Sequence, residues 1–260
     1  METRKMKLAA YSDKDGYAQV SDNIAVESPL EVLVNGKRKF LCMRMPGMDK
    51  ELAAGICFNS GLVEFPEDIK KISIIDENKV DIQAENIRNF REDEIKIIRS
   101  SSGILPDSEK MDKNDIRKGE NDPIFSEKML FMMQSDFFSR QKIFNKTGAT
   151  HGAALYDIDG SLLVFAEDVG RHNALDKCTG WLVLNGKPGK AFFCMLSSRL
   201  SYEMVMKGFK SGVSVIAGVS APTSLAVDIA RERGITLAGF LRGNRFNIYA
   251  GAWRLSRNLI

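Results

Sequence analysis

The chain has 260 residues, 44% of them hydrophobic, and a formal net charge of +3. That apolar content suffices for a substantial core, and the small positive charge gives no argument for nucleic acid. No segment approaches the roughly 18 consecutive apolar residues of a membrane span, and the start Met1-Glu2-Thr3-Arg4-Lys5-Met6-Lys7 lacks a following signal-peptide core. A soluble, cytoplasmic protein with no membrane partner is expected. The cysteines Cys42, Cys57, Cys178 and Cys194 form no Cys-x-x-Cys pair and sit among apolar neighbours. That argues against a thioredoxin-like centre or a cysteine-rich zinc site, and for buried, free thiols.

Residues 1–20 are polar and unpatterned, so a loose start is expected. Between residues 21 and 100 the pattern predicts a small α+β lobe. Ile24–Glu27, Leu30–Val34 and Phe40–Met43 read as strands of a hairpin with its turn at Asn35-Gly36, and Met48–Ser60 reads as a helix ended at Gly61. Further strands are expected at Lys71–Ile75, Lys79–Ile82 and Glu94–Arg99. Residues 101–122 are charged and punctuated by Gly and Pro, as in a surface loop or linker. From Pro123 to Lys146 apolar residues recur at helical spacing, and Pro123 suits a first helical position. A hairpin over Gly152–Asp157 and Leu162–Glu167 follows. Helices at His172–Leu184, Ser201–Lys210 and Pro222–Arg233 then alternate with strands at Ala191–Leu196, Val213–Val219, Ile235–Leu241 and Phe246–Tyr249. That order predicts a three-layer α/β domain over residues 123–260.

The polar stretch Glu167-Asp168-Val169-Gly170-Arg171-His172-Asn173-Ala174-Leu175-Asp176-Lys177 falls where a strand ends and a helix begins. Gly170 permits a tight turn, and the free N–H groups of the helix start suit an anion. The same letters fit a structural network in which Asp168 pairs with Arg171 and Asn173 caps the helix. Three comparable junctions follow. Ser197-Ser198-Arg199 places Arg199 at a strand's carboxyl end, or as a surface partner of Glu203. Ser220-Ala221-Pro222-Thr223-Ser224 offers N–H groups and hydroxyls to a phosphate, or simple helix capping by Ser220 or Thr223. Phe240-Leu241-Arg242-Gly243-Asn244-Arg245 brings two guanidinium groups to a glycine turn, and Arg pairs recognise phosphate by bidentate hydrogen bonds. His151, after the small-residue loop Thr147-Gly148-Ala149-Thr150, is either a phosphate donor or a satisfied structural residue.

These words, with Thr147–Leu155 and Ser197–Met204, resemble the FdhD family of formate dehydrogenase accessory sulfurtransferases, in order from about Asp22 to Tyr249. The resemblance implies a three-layer cytidine deaminase-like α/β domain with the smaller N-terminal α+β lobe. It implies binding of the molybdenum bis-guanine-dinucleotide cofactor as cargo by Phe240, Leu241, Arg242, Gly243, Asn244 and Arg245, with GDP as a surrogate. Arg171, His151, Arg199, Ser220 and Thr223 would complete that site. His172 beside Asp168 would act as an acid/base or hydrogen-bonding group. Implied partners are a cysteine desulfurase, the catalytic subunit of formate dehydrogenase, and a second copy in a homodimer. A deaminase metal is not expected, because the two histidines stand in no His-x-Glu and no Pro-Cys-x-x-Cys occurs.

One element departs from the family. Its Cys-Gly-x-Cys-Gly motif, whose cysteines carry sulfur as a persulfide, aligns with Arg99-Ser100-Ser101-Ser102-Gly103-Ile104-Leu105-Pro106. Ser102 stands at the first cysteine and Leu105 at the second, and neither side chain holds a persulfide. Two alternatives follow: a cofactor- or guanine-nucleotide-binding carrier without sulfur transfer, or sulfur chemistry moved to another thiol, Cys57 or Cys178 being nearest.

Overall fold

The computed structural model describes residues 1–88, 96–98 and 123–255. Ser102 and Leu105, the strand expected at Glu94–Arg99 apart from its centre, and most of the expected linker lie outside the described residues.

The expectation of a loose start fails. Strands β1 (Thr3–Ser12) and β2 (Gly16–Ala25) form a two-stranded antiparallel hairpin, Thr3 opposite Ala25 and Tyr11 opposite Tyr17. A hairpin solvated on most of both faces carries no apolar alternation, which is why its sequence reads as unpatterned. Next come β3 (Ser28–Val34), β4 (Lys37–Arg44), α1 (Asp49–Asn59), β5 (Ile69–Asp76), β6 (Lys79–Ala84) and β7 (Lys96–Ile98). They form a five-stranded sheet in the order β5-β6-β3-β4-β7. Asn35 and Gly36 both have positive φ, 51° and 76°, the pair of left-handed residues that a tight turn between twisted strands needs. Helix α1 lies on this sheet through Leu52, Ala53 and Ile56.

Residues 123–146 form two helices in place of one: α2 (Glu127–Arg140), capped by Ser126, and α3 (Lys142–Thr147). Gln141 has ψ 60°, which takes its residue out of the helical region and breaks the hydrogen-bond ladder between them. Beyond lie β8 (His151–Tyr156), β9 (Leu162–Asp168), α4 (Arg171–Leu184), β10 (Phe193–Leu196), α5 (Tyr202–Lys210), β11 (Val215–Gly218), α6 (Ser224–Glu232), β12 (Thr236–Arg242) and β13 (Arg245–Ala250). Their six strands form one sheet in the order β13-β12-β11-β10-β8-β9. The sheet is apolar on both faces, so its strands read as continuous apolar runs. Cys194, Leu196 and Ile216 pack toward α4, α5 and α6, while Phe193, Met195, Val215 and Ala217 pack toward α2. This is the expected three-layer arrangement.

The small lobe joins the large one through α1 against α4. The two backbones touch at paired glycines: a Cβ on Gly180 would stand 1.7 Å from the Glu51 carbonyl oxygen, and one on Gly55 1.9 Å from that of Asp176. With α1 on its outer side, α4 is buried all round, and its polar residues His172, Asn173, Asp176, Lys177 and Thr179 are each no more than 1% exposed. No helix among the described residues is long and apolar enough to cross a membrane.

The glycine contact yields a direct test. Since the clash is with backbone, Gly180→Ala forces the helices apart and should lower the unfolding free energy by about 3 kcal/mol in urea titrations. A loss below about 0.5 kcal/mol, the size of an ordinary surface substitution, would show that the helices do not meet as described.

Candidate functional site

Strands β10, β11 and β12 run parallel, and β8 is antiparallel to both β10 and β9. The carboxyl ends of β9, β10, β11 and β12 therefore share one edge with the starts of β8 and β13. Open α/β sheets bind ligands at such an edge. The four polar junctions of the sequence, the loops after residues 168, 196, 218 and 242, all emerge there, and His151 begins β8 beside them.

Hydrogen bonds tie these loops into a continuous rim. Gly152 N donates to Ser197 Oγ (2.9 Å). Leu200 N donates to the Ala221 carbonyl (3.1 Å), and Thr223 N to that of Leu200 (3.0 Å). Phe240 N reaches the Ser220 carbonyl (3.2 Å), and Arg242 Nε donates to the carbonyl of Val219 (3.0 Å). Gly239 makes the approach to the Ser220 loop possible, because a Cβ there would lie 3.0 Å from the Pro222 ring and 3.1 Å from the Ser220 carbonyl.

At the β9 end, His151, Arg171 and His172 come together. His151 is half-buried, and its pKa is lowered by burial and by Arg171. His172 is 1% exposed, with Nε2 3.0 Å from Glu203 Oε2, yet neither ring nitrogen makes an aligned hydrogen bond among the described residues. The Glu203 carboxylate favours a charged ring. Burial, with Lys207, Arg171 and His151 nearby, outweighs it and pushes the His172 pKa down to about 2. Of the two sequence readings of Arg199, the pairing with Glu203 is not seen: Glu203 turns to His172, and Arg199 is exposed beyond the end of β10.

Asp168 does not stand free beside His172. Its side chain is 0% exposed and all its acceptor capacity is used: Oδ1 takes Gly170 N (2.9 Å) and Asn173 Nδ2 (3.0 Å), while Oδ2 takes Met45 N (3.1 Å) and Lys177 Nζ (2.8 Å). Its ion partner is Lys177, not Arg171. The N-cap of α4 is Gly170, and Asn173 donates to Asp168 and to the Met43 carbonyl (2.8 Å). Asp168 is thus a positioning residue that anchors the strand-to-helix junction to the small lobe. Nothing near residue 168 in the sequence signals Met43 or Met45.

The Phe240–Arg245 turn divides by burial. Leu241 is 0% exposed within the core, and its carbonyl accepts from Gln134 Nε2 (2.6 Å), so it presents nothing to a ligand. Arg242, Gly243, Asn244 and Arg245 are exposed, with Gly243 at φ 56° and Arg242 opposite Arg245. Phe240 adopts φ 51°, a left-handed conformation unusual for a bulky side chain and the kind of strain found at binding sites. Its ring is 36% exposed with the Arg242 guanidinium 5.8 Å from the ring centroid. A register shift between Gly239 and Arg242 turns Phe240 outward and Leu241 inward. Thr223 is the N-cap of α6, its hydroxyl accepting from Ala226 N (3.3 Å), which accounts for that residue without a ligand. Ser220 is half-buried at the rim.

All four cysteines are free and buried. Burial, followed by Asp168 and Asp176, pushes the Cys42 thiol up to about 12, and burial alone does the same to Cys194. Cys57 is raised by burial and Asp176, and Cys178 by burial and Cys194. A persulfide carrier needs an accessible thiolate, and each of these environments opposes one.

The buried imidazole makes stability depend on pH. The folded chain keeps His172 neutral, whereas the unfolded chain protonates it below its ordinary value near 6.5. Stability is then full above about pH 6.5 and is lost as pH falls, by about 2 kcal/mol on reaching pH 5. Urea titrations across this range should show a shallower loss for His172→Gln than for the parent chain. Equal slopes would mean that the ring is protonated in the folded state.

Residues 25–256 match the model of the FdhD/NarQ family. Curated relatives named sulfur carrier protein FdhD include that of Sulfolobus acidocaldarius, 38% identical over 98% of this chain and 99% of its own. That of Sulfurisphaera tokodaii is 40% identical over 96% and 97%, and that of Corynebacterium efficiens 36% identical over 88% and 90%. A crystal structure from Desulfotalea psychrophila, described as a formate dehydrogenase accessory protein, superposes with a TM-score of 0.83 over 98% of this chain and all of the other at 22% identity, a likeness of fold. With the family's model matched over most of its length and relatives above 35% identical end to end, the chain belongs to the FdhD/NarQ family.

Proposed function

We propose that the chain is an accessory protein of formate dehydrogenase maturation that binds the molybdenum bis-guanine-dinucleotide cofactor as cargo along the carboxyl edge of its six-stranded sheet. The Phe240–Arg245 turn carries this reading. An exposed aromatic ring, held in a strained conformation beside a guanidinium, offers a flat base two surfaces to stack on. Arg242 and Arg245, opposite one another across the turn, suit the two oxygens of a phosphate. From there Arg199, Arg171 and His151 continue the basic edge across four strand spacings, about 19 Å. An elongated ligand with several anionic groups meets a basic residue at most of the strand ends it crosses. Its relatives' names suit this role, and a cysteine desulfurase, the dehydrogenase catalytic subunit and a second copy of the chain are the partners it implies.

A second reading concerns sulfur. With Ser102 and Leu105 at the family's carrier positions and all four thiols buried and raised in pKa, the chain presents the cofactor without carrying sulfur itself. The relocated-thiol alternative draws no support from Cys57 or Cys178, both 0% exposed.

GDP is the accessible probe of the turn. Arg242→Ala combined with Arg245→Ala removes two exposed side chains and should weaken GDP binding about ten-fold or more by calorimetry, with unfolding unchanged. Equal affinity in the double variant would remove the turn from the binding site.

A further inference from the structure

A second concavity lies beside β9, the outer strand of the six-stranded sheet. It has a volume of about 400 Å³ and is enclosed by the loop from Met45 to Met48, the corner between α2 and α3, and residues 165–167 of β9. That volume is in the range of small-molecule sites.

Its walls are fixed before any ligand arrives. Met45 is held at both backbone groups, its N–H on Asp168 and its carbonyl accepting from Lys177 Nζ (2.9 Å). Opposite, Glu167 is saturated: Oε2 accepts from Ile143 N (3.0 Å), and Oε1 from Phe144 N (2.8 Å) and the Thr150 hydroxyl (2.8 Å). A preformed cavity saves a ligand the cost of ordering it.

The charges in it are unevenly answered. Lys177 pairs with Asp168 (2.8 Å) and Arg140 with Asp136 (2.8 Å). Lys142 and Lys146, one turn apart on α3, are exposed and have no ion-pair partner among the described residues. Glu167 is committed to backbone N–H groups, which leaves Glu2 as the one further lining carboxylate against two ammonium groups. Between them the walls are apolar, with Met48, Ile143 and Phe165.

We propose that this cleft is a second ligand site, for a small organic anion whose apolar body packs against Met48 and Phe165 and whose acidic group is held by Lys142 and Lys146. It is independent of the guanine-nucleotide reading, with which it shares neither Arg242 nor Arg245.

Anilinonaphthalene sulfonate, an aromatic body bearing one fixed negative charge, is a suitable fluorescent probe. The full chain should bind it saturably, and Lys142→Gln with Lys146→Gln should weaken that binding about five-fold while leaving the unfolding transition in place. Phenylnaphthylamine, the same body without the charge, should bind more weakly to the parent chain and equally to both forms. The Arg242→Ala, Arg245→Ala variant should bind the sulfonate as the parent does, whether or not it binds GDP. Absence of saturable binding, indifference to the lysine pair, or loss in the arginine variant alone would each overturn the proposal.

Discussion

Helix α4 has almost no contact with water, and the rest of the molecule is arranged around that fact. The large sheet covers one side and α1 the other, at a separation that only Gly55 and Gly180 allow. A helix so enclosed would ordinarily be apolar, yet this one carries two ion pairs into the interior, Lys177 with Asp168 and Lys207 with Asp176. Buried pairs persist where their remaining hydrogen-bonding capacity is met. Here the small lobe helps to meet it: Asn59 Nδ2 donates to Asp176 (2.6 Å), Met45 N to Asp168, and the Met45 carbonyl accepts from Lys177.

That arrangement links the lobes to the site. Asp168 holds Gly170 N, and Gly170 opens α4, so the positions of Arg171 and His172 follow from a carboxylate whose other oxygen is held by the small lobe. The carboxyl edge is thereby divided into a buried tier and an exposed one. Asp168, His172 and Leu241 are buried, Asp168 and Leu241 fixing backbone there, while Arg199, Phe240, Arg242 and Arg245 are exposed. The thiols belong to the buried tier. Cys178 donates to the Ala153 carbonyl (3.3 Å) and Cys42 to that of Leu30 (3.8 Å), as small core residues do.

Much of this was legible from local pattern. The Asn35-Gly36 turn and the alternation of helix and strand after residue 150 are short-range signals, and every polar junction named from the sequence emerges at the same sheet edge, because parallel strands return their carboxyl ends to one side. What escaped reading depends on distant or irregular structure. Asp168 meets Met45, which lies 123 residues away. Leu241 carries the letters of a binding turn, but the register shift beside Phe240 sends it inward. Gln141 interrupts an apolar period that continues through it, so one helix was expected where two exist. The β1–β2 hairpin, exposed on most of both faces, has no buried stripe to announce it.

The claim that this family member presents a cofactor without carrying sulfur is tested most directly by intact-protein mass spectrometry after incubation with a cysteine desulfurase and cysteine. A relative bearing the Cys-Gly-x-Cys-Gly motif serves as the parallel control. Buried, high-pKa thiols and a serine at position 102 predict no added sulfur on this chain while the control gains it. Sulfur mapped by peptide analysis to Cys42, Cys57, Cys178 or Cys194 would contradict the claim and restore a carrier with a relocated thiol.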